Sequence, residues 1–327
     1  MKHTKKLIII YGPTGVGKTD MSLAIDKLTP IEIINGDVGQ LYEPLAIGTA
    51  KPDWKNDPIP HHLFDYCTTP QDITVVMYRT LLLEKAEDIW ARGATPVIVG
   101  GSGFYLKSLF YPPKNEVELV PEDRGVCDLS DTENKSTEDL WNLLYEHDPE
   151  RAQALIVQDR YRILRALDLV KKGIKPSTLT PEYEPFPAEI LVFFLNRPRE
   201  ELYQRIDQRV EIMMQQGLIQ EVKKLLGTDW ETFLLRKKLI GYNDILEYLR
   251  QEDQSVDQYQ ILIEKIQKKT RNYAKRQITF WRMLKKLLDK NFMQPSSAQE
   301  IDLAQEEGTL TKVLENFLKG DDNEEFF

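Results

Sequence analysis

The sequence predicts an α/β protein: a doubly wound, mostly parallel sheet with an inserted helical subdomain and a helical C-terminal part. Three observations predict it. Short apolar runs alternate with helical patterns over the first hundred residues, the rhythm of βαβ units. A further strand-like run, Glu189 to Leu195, returns only after a long gap, as when a subdomain interrupts a sheet. Beyond Arg199 the pattern is almost wholly helical.

Taken in order, Leu7-Ile8-Ile9-Ile10-Tyr11 reads as a buried strand. It leads into Gly12-Pro13-Thr14-Gly15-Val16-Gly17-Lys18-Thr19, a fit to GxxxxGK[ST], and a helical pattern runs from Met21 to Leu28. Strand, glycine loop and helix start aim backbone N–H groups and a positive dipole end at one point, which suits a di- or triphosphate. Lys18 adds a point charge there, and the Thr19 hydroxyl is placed for a magnesium ion or a phosphate oxygen. Ile31 to Ile34 is the second strand, Ile73 to Arg92 a helix, and Thr95 to Val99 the third strand, closed by Gly100-Gly101-Ser102-Gly103. The insertion opens at Pro112-Pro113, passes a polar loop at Asp128 to Glu138, and turns helical at Leu140 to Tyr145 and Arg160 to Lys172. It closes with a loop, Pro176 to Pro187. The expected boundaries are therefore 1–112 with 189–290 for the core and 113–188 for the insertion. Residues 291–327 form an acidic tail, helical in part or disordered.

Bulk composition narrows the class. The 327 residues, 41% hydrophobic and 29% charged, fit about two globular domains or one with an insertion. No apolar stretch nears the ~20 residues that span a bilayer, and the basic start leads straight into the glycine loop rather than a secretory signal. Cys67 and Cys127 lie far apart, which argues against a disulfide framework or a zinc site and for a reducing, cytoplasmic setting. The net charge of −9 hides a basic stretch between Lys265 and Lys290 opposed only by Asp289. Because screening removes charges beyond ~10 Å, that local face leaves RNA open as a partner.

In open parallel sheets, ligands bind beyond the carboxyl ends of the strands. Asn35-Gly36-Asp37-Val38-Gly39-Gln40 follows the second strand, so Asp37 should face the phosphates as a general base, a water-mediated metal ligand or a turn former. The third strand runs into glycines rather than the acid of a Walker-B site, which argues against ATP hydrolysis. The adjacent His61 and His62 point in different directions and fit a loop or packing role better than a metal. Arg205 and Arg209 share one helix face, solvated or lining the site. In the insertion, Arg160, Arg162 and Arg165 beside Tyr161 fit either RNA backbone contact or ordinary surface charge.

These segments together resemble the tRNA dimethylallyltransferase (tRNA isopentenyltransferase) family. The matching stretches are GPTGVGKT, GDVGQLYEPLAIGTAKP from Gly36, PHHLFD from Pro60 and VIVGGSGFYLKSL from Val97. They continue with DRYRILRAL from Asp159, LYQRIDQRVEIMMQQGL from Leu202, IGYND from Ile240 and TRNYAKRQITFWR from Thr270. The resemblance runs in order from about Leu7 to about Leu288. It implies a core of the P-loop kinase type and an insertion that grips the anticodon stem-loop. The implied reaction moves a dimethylallyl group from dimethylallyl diphosphate to N6 of the adenosine 3′ to the anticodon.

Residue by residue, the resemblance implies that Gly12 to Thr19 and Arg209 bind the diphosphate, and that Thr19 holds Mg2+. Asp37 takes the amine proton, so Asp37, Thr19 and Arg209 form the catalytic set. For tRNA it implies Asp37, Val38, Gly39 and Gln40, then Ser102 and Arg124. In the insertion it implies Tyr161, Arg162, Ile163, Leu164 and Arg165. Farther on come Lys238, Leu239, Ile240, Gly241, Tyr242 and Asn243, and finally Lys275, Arg276, Gln277, Ile278, Thr279, Phe280, Trp281 and Arg282. Gln40 and Gly241-Tyr242 would read bases, while Arg162, Arg165, Lys275 and Arg276 would hold phosphates. A monomer is expected, with tRNA and dimethylallyl diphosphate as its partners. Three departures stand out: Val38 replaces the usual serine, Lys238 stands in for an arginine, and Phe280 precedes Trp281. Val126 to Thr137 matches poorly. The competing readings are a P-loop kinase for a small molecule or nucleotide, a free-adenylate prenyltransferase, and a catalytically silent RNA-binding relative.

Overall fold

The computed structural model describes residues 5–110, 134–179, 186–288, 296–303 and 309–319. Strand β1 (Lys6–Tyr11) is apolar throughout its centre because it is covered on both faces; Leu7 to Ile10 expose nothing. Helix α1 (Lys18–Asp26) follows the glycine loop, then β2 (Ile31–Asn35) and the two-residue β3 (His61–His62). Helix α2 (Val75–Ala91) starts where the Thr74 side chain accepts from Met77 N, a polar cap that ends the preceding loop. Strand β4 (Thr95–Gly100) and α3 (Gly103–Phe110) complete the first half.

Two compact units divide the chain: Tyr111–Glu184, and the remainder formed by Met1–Phe110 with Pro185–Phe327. The smaller unit contains α4 (Thr137–His147), α5 (Pro149–Gln153) and α6 (Arg160–Lys171). Ser136 and Asp139 form a capping box at the start of α4. The three helices close on their own small core, with Leu140, Leu144, Ala152, Ile163, Ala166 and Leu167 buried together.

The larger unit resumes with β5 (Glu189–Asn196), α7 (Arg199–Gln215), α8 (Leu218–Lys223), α9 (Asp229–Lys237) and α10 (Tyr242–Leu249). Helix α11 (Val256–Leu288) follows; its 33 residues make it about 50 Å long. Strand β6 (Ser296–Asp302) and α12 (Thr309–Lys319) come last. The sheet order is β3-β2-β4-β1-β5-β6 and every pairing is parallel, so all carboxyl ends open toward one edge. The doubly wound parallel α/β architecture expected from the sequence is the one observed.

The C-terminal segment adds one element that was not expected. The expected helical part is α12, residues 320–327 lie outside the described residues, and the unexpected element is a strand: residues 296–302 pair in parallel with β5, from Ile190↔Ser296 to Asn196↔Asp302. Helix α12 buries Leu314 and Phe317 in the same core cluster as Ile8, Ile25 and Phe193. Lys6 Nζ donates to the carbonyls of Phe317 and Leu318 at the end of α12. An edge strand spelled SSAQEID carries no apolar run, so its sequence gives no strand signal. No described helix is long and apolar enough to cross a membrane.

Candidate active site

The glycine loop sits at the carboxyl end of β1. Gly17 caps α1 at φ 108°, a left-handed conformation that favours glycine. Arg197 Nε donates to the carbonyl of Val16 at 2.7 Å, and Arg205 Nε donates to the carbonyl of Gly15 at 2.8 Å. Two guanidinium groups thus hold two of the loop's carbonyls from outside. Arg205 therefore supports the loop itself. Arg209, one turn along α7, reaches Thr14 Oγ1 at 3.4 Å and lines the cavity. Arg197 had no signal in the sequence, where it is one basic residue after a strand.

Lys18 Nζ donates to the carbonyls of Gly12 and Pro13, each at 3.2 Å. Desolvation lowers its pKa, and Arg209 pushes the same way while Asp37 opposes. Desolvation likewise lowers the pKa of Arg209, with Asp37 opposing and Arg205 adding to the shift. Two cations crowded out of water and facing one carboxylate make a place where an anion is strongly favoured.

Asp37 is fixed by its own turn. Asn35 is fully buried; its Oδ1 accepts from Asp37 N at 2.8 Å and its Nδ2 donates to the carbonyls of Asp37 and Leu63. Gly36 and Gly100 pass so close that a Cβ on Gly100 would lie 2.2 Å from the Gly36 carbonyl carbon. This contact brings the turn after β4 against Asp37. There Gly101 N donates to Asp37 Oδ1 at 2.7 Å and Ser102 Oγ donates to it at 3.3 Å. The other oxygen, Oδ2, meets no donor among the described residues. Val38 contributes its backbone, donating to Ser102 Oγ at 3.2 Å.

Two cavities meet on this wall. One, of about 460 Å³, is lined by the glycine loop, Lys18, Thr19, Arg205, Arg209 and the apolar Ile33, Pro52, Phe64 and Val99. The other, of about 380 Å³, is lined by Val38, Gly39, Ser102, Lys237 to Tyr242, Tyr273, Arg276 and Gln277. Thr14, Lys18, Asp37, Gln40, Thr49, Ala50 and Arg209 belong to both. His61 lines the first cavity, and His62 Nε2 pairs with Glu32 at 2.6 Å, a packing role.

The remaining expected contacts separate into surface and interior. Lys275, Thr279 and Arg282 on α11 are exposed, and Arg276 is exposed beside the second cavity. Trp281, expected at the RNA, is instead buried: its ring stacks on Phe194 at 4.8 Å and its Nε1 donates to Glu300 at 2.9 Å. Gln277 is also interior, 3% exposed. Its Oε1 accepts from Thr14 N and its Nε2 donates to the Gly101 carbonyl, both at 2.9 Å, which bolts α11 to the glycine loop and to the turn that holds Asp37. Ile278 packs against the core and Phe280 stands over Gly103. Tyr242 is fully buried too, with its hydroxyl on Glu221, so it forms wall rather than reader. Asn243 lines neither cavity. In α6, Tyr161, Arg162 and Arg165 are exposed, Ile163 is core, and Leu164 packs against it. Arg162 pairs with Asp159 at 2.8 Å. Arg124 lies outside the described residues. Burial of every third or fourth helical residue explains these corrections, because a contiguous motif on a helix cannot face one way.

The IPP transferase profile matches residues 40–284, and the isopentenyl transferase profile matches residues 5–56. The tRNA dimethylallyltransferase of Macrococcus caseolyticus (strain JCSC5402) is 38% identical over 285 residues, 84% of this chain and 87% of that one. A crystal structure of a eukaryotic dimethylallyltransferase acting on tRNA superposes with a TM-score of 0.72 at 29% identity, covering 92% of this chain and 75% of that one. The tRNA delta(2)-isopentenylpyrophosphate transferase of Staphylococcus epidermidis gives 0.59 at 26% identity, covering 96% and 98%. With a profile spanning most of its length and relatives of this similarity, the chain belongs to the tRNA dimethylallyltransferase (IPP transferase) family.

Proposed function

We propose that this enzyme transfers a dimethylallyl group from dimethylallyl diphosphate to N6 of the adenosine 3′ to a tRNA anticodon, releasing diphosphate. The observation that carries the proposal is Asp37, which stands on the wall shared by the cavity at the glycine loop and a second cavity of about 380 Å³. In the first cavity, the loop N–H groups, Lys18 and Arg209 would stabilise charge building on the departing diphosphate as the allylic C–O bond breaks. From the second, an extruded adenine would present N6, a poor nucleophile because its lone pair is delocalised into the ring. Asp37 Oδ2 takes the N6 proton as the N–C bond forms, while Oδ1 stays held by Gly101 and Ser102. The apolar Ile33, Phe64 and Val99 suit the prenyl chain and exclude water from the allylic centre.

The residues also fit a magnesium ion of the phosphate-loop kind. Among the described residues no three His, Cys, Asp or Glu side chains gather as a cation site. Thr19, exposed on the first turn of α1 in the same cavity, would hold the ion together with diphosphate oxygens and water, an arrangement Mg2+ favours. When bound, the ion supplies neutralising charge to the leaving group. The exposed basic residues of α6 and α11 suit the anticodon stem-loop backbone, and we take the enzyme to act as a cytoplasmic monomer.

The test is incubation with labelled dimethylallyl diphosphate and unmodified tRNA, then with AMP or ATP as acceptor. Label in tRNA alone, mapped by mass analysis to the anticodon loop, is the expected result. Phosphate transfer from ATP without tRNA labelling would instead identify a kinase, and binding without product a silent relative.

A further inference from the structure

Glu221, on α8, lies outside every motif considered above and lines neither cavity, yet it is the most heavily engaged carboxylate in this part of the molecule. Its Oε2 accepts from Ala46 N at 3.1 Å and Ile47 N at 2.7 Å. Its Oε1 accepts from Gly48 N at 3.2 Å and from the Tyr242 hydroxyl at 2.6 Å. Three successive backbone N–H groups converging on one anion form a nest, filled here by a side chain from a distant helix.

What the nest holds in place is the next stretch of chain. The carbonyls of Thr49 and Ala50 accept from Gln40 Nε2 at 3.0 and 3.2 Å. Only the amino end of an amide can face two carbonyls, so the orientation of Gln40 follows from its partners. Its Oε1 meets no donor among the described residues, and Gln40 lines both cavities. Ala50 sits at φ 49°, a left-handed conformation costly for alanine that persists only where the surroundings hold it. The Thr49 hydroxyl ties the loop across itself, donating to the Leu45 carbonyl at 2.6 Å.

We infer that Glu221 is a positioning residue for acceptor recognition: by clamping the loop of residues 46–50, it turns the Gln40 carbonyl toward the incoming nucleobase. Gln40 is thereby committed to accepting a hydrogen bond, which favours a base edge carrying an amino group. This rests on the proposed transfer to an adenosine amine, and it adds a residue that touches neither substrate. A carboxylate is required because four donors point at it. Glutamine at this position would turn an amino group toward one pair of them.

The experiment uses the full chain and two anticodon stem-loop RNAs, one with adenosine and one with purine riboside at the target position. The second lacks only the amino group. Dissociation constants for both are measured for wild type, Glu221→Gln and Tyr242→Phe, together with KM for dimethylallyl diphosphate and melting temperatures. In Glu221→Gln the preference for the adenosine RNA should fall by about tenfold, the scale of one lost base contact, with KM for the prenyl donor unchanged. Tyr242→Phe, which removes one of the four donors, should shift the preference the same way by less. A wild-type preference in Glu221→Gln overturns the inference. So does equal weakening toward both RNAs with a lowered melting temperature, which is what a merely structural residue would give. If Glu221→Gln does not fold, an unchanged preference in Tyr242→Phe overturns it. Binding reads the inference independently of turnover, so a wild type that discriminates but never transfers would sink the proposed reaction and leave this assignment standing.

Discussion

The two cavities that meet at Asp37 are built in opposite ways. The glycine-loop side has a local centre: one strand, one glycine loop and one helix start lie within Lys6 to Asp26, and Arg197 and Arg205 hold the loop from elsewhere. The acceptor side is assembled from the turn after β2, the loop around Gly48, the cap of α9, α10 and the middle of α11. Its parts are joined by side chains reaching across the fold, such as Gln277 to Gly101 and Glu221 to Ile47. A phosphate asks for N–H groups and positive charge, which a single supersecondary unit supplies. A nucleobase asks for a shaped wall with particular donors and acceptors, which only several elements together can make.

The comparison can be broken most decisively at the shared wall. Asp37→Ala should lower kcat by about 10²–10⁴ while tRNA affinity stays near wild type, since one general base is removed and the binding surfaces remain. Single-turnover rates beside filter-binding measurements check this, and wild-type turnover would end the base assignment. On the phosphate side, Arg209→Ala should raise KM for dimethylallyl diphosphate by roughly ten- to a hundredfold, the worth of a charge-assisted contact. An unchanged KM for the donor would detach Arg209 from the diphosphate.

Gln277→Leu sharpens the contrast, because it cuts the bolt between the two sides. It leaves Thr14 N and the Gly101 carbonyl without their partner. We expect kcat to fall by about tenfold with the dissociation constant for tRNA unchanged. Loss of tRNA affinity instead would return Gln277 to the RNA surface. The smallest effect belongs to the exposed face of α11. Arg282→Ala should weaken tRNA binding modestly and reduce the salt slope by about 1, with stability unaltered. Its neighbour Trp281→Ala should behave oppositely, destabilising the fold by about 3–5 kcal/mol in denaturant titrations.

Much of the site was legible because its residues are adjacent in the chain. Leu7 to Thr19 announce strand, loop and helix together, and Asn35 to Gln40 follow a strand whose carboxyl end must open toward the same edge. The expected tRNA contacts in α11 mislead for the same reason. A contiguous run such as Lys275 to Arg282 winds through more than two helical turns, so Gln277 and Trp281 face inward while Arg276 and Arg282 face water. Strand β6 escaped detection because an edge strand needs backbone partners more than apolar side chains. Arg197 and Glu221 gave no signal at all, since each is an ordinary charged residue until the carbonyls or N–H groups it meets are known.

By itself, the sequence determined the parallel α/β architecture, the glycine loop after the first strand and the carboxylate across the same cavity, because periodicity and spacing act over a few residues. Only the tertiary structure decided which guanidinium supports the loop and which reaches Thr14 at the cavity, and which residues of α11 are framework. It alone decided that a glutamate on α8 clamps the loop against which Gln40 is set. Those choices depend on hydrogen-bond partners more than a hundred residues apart, and no local pattern in a chain records who those partners are.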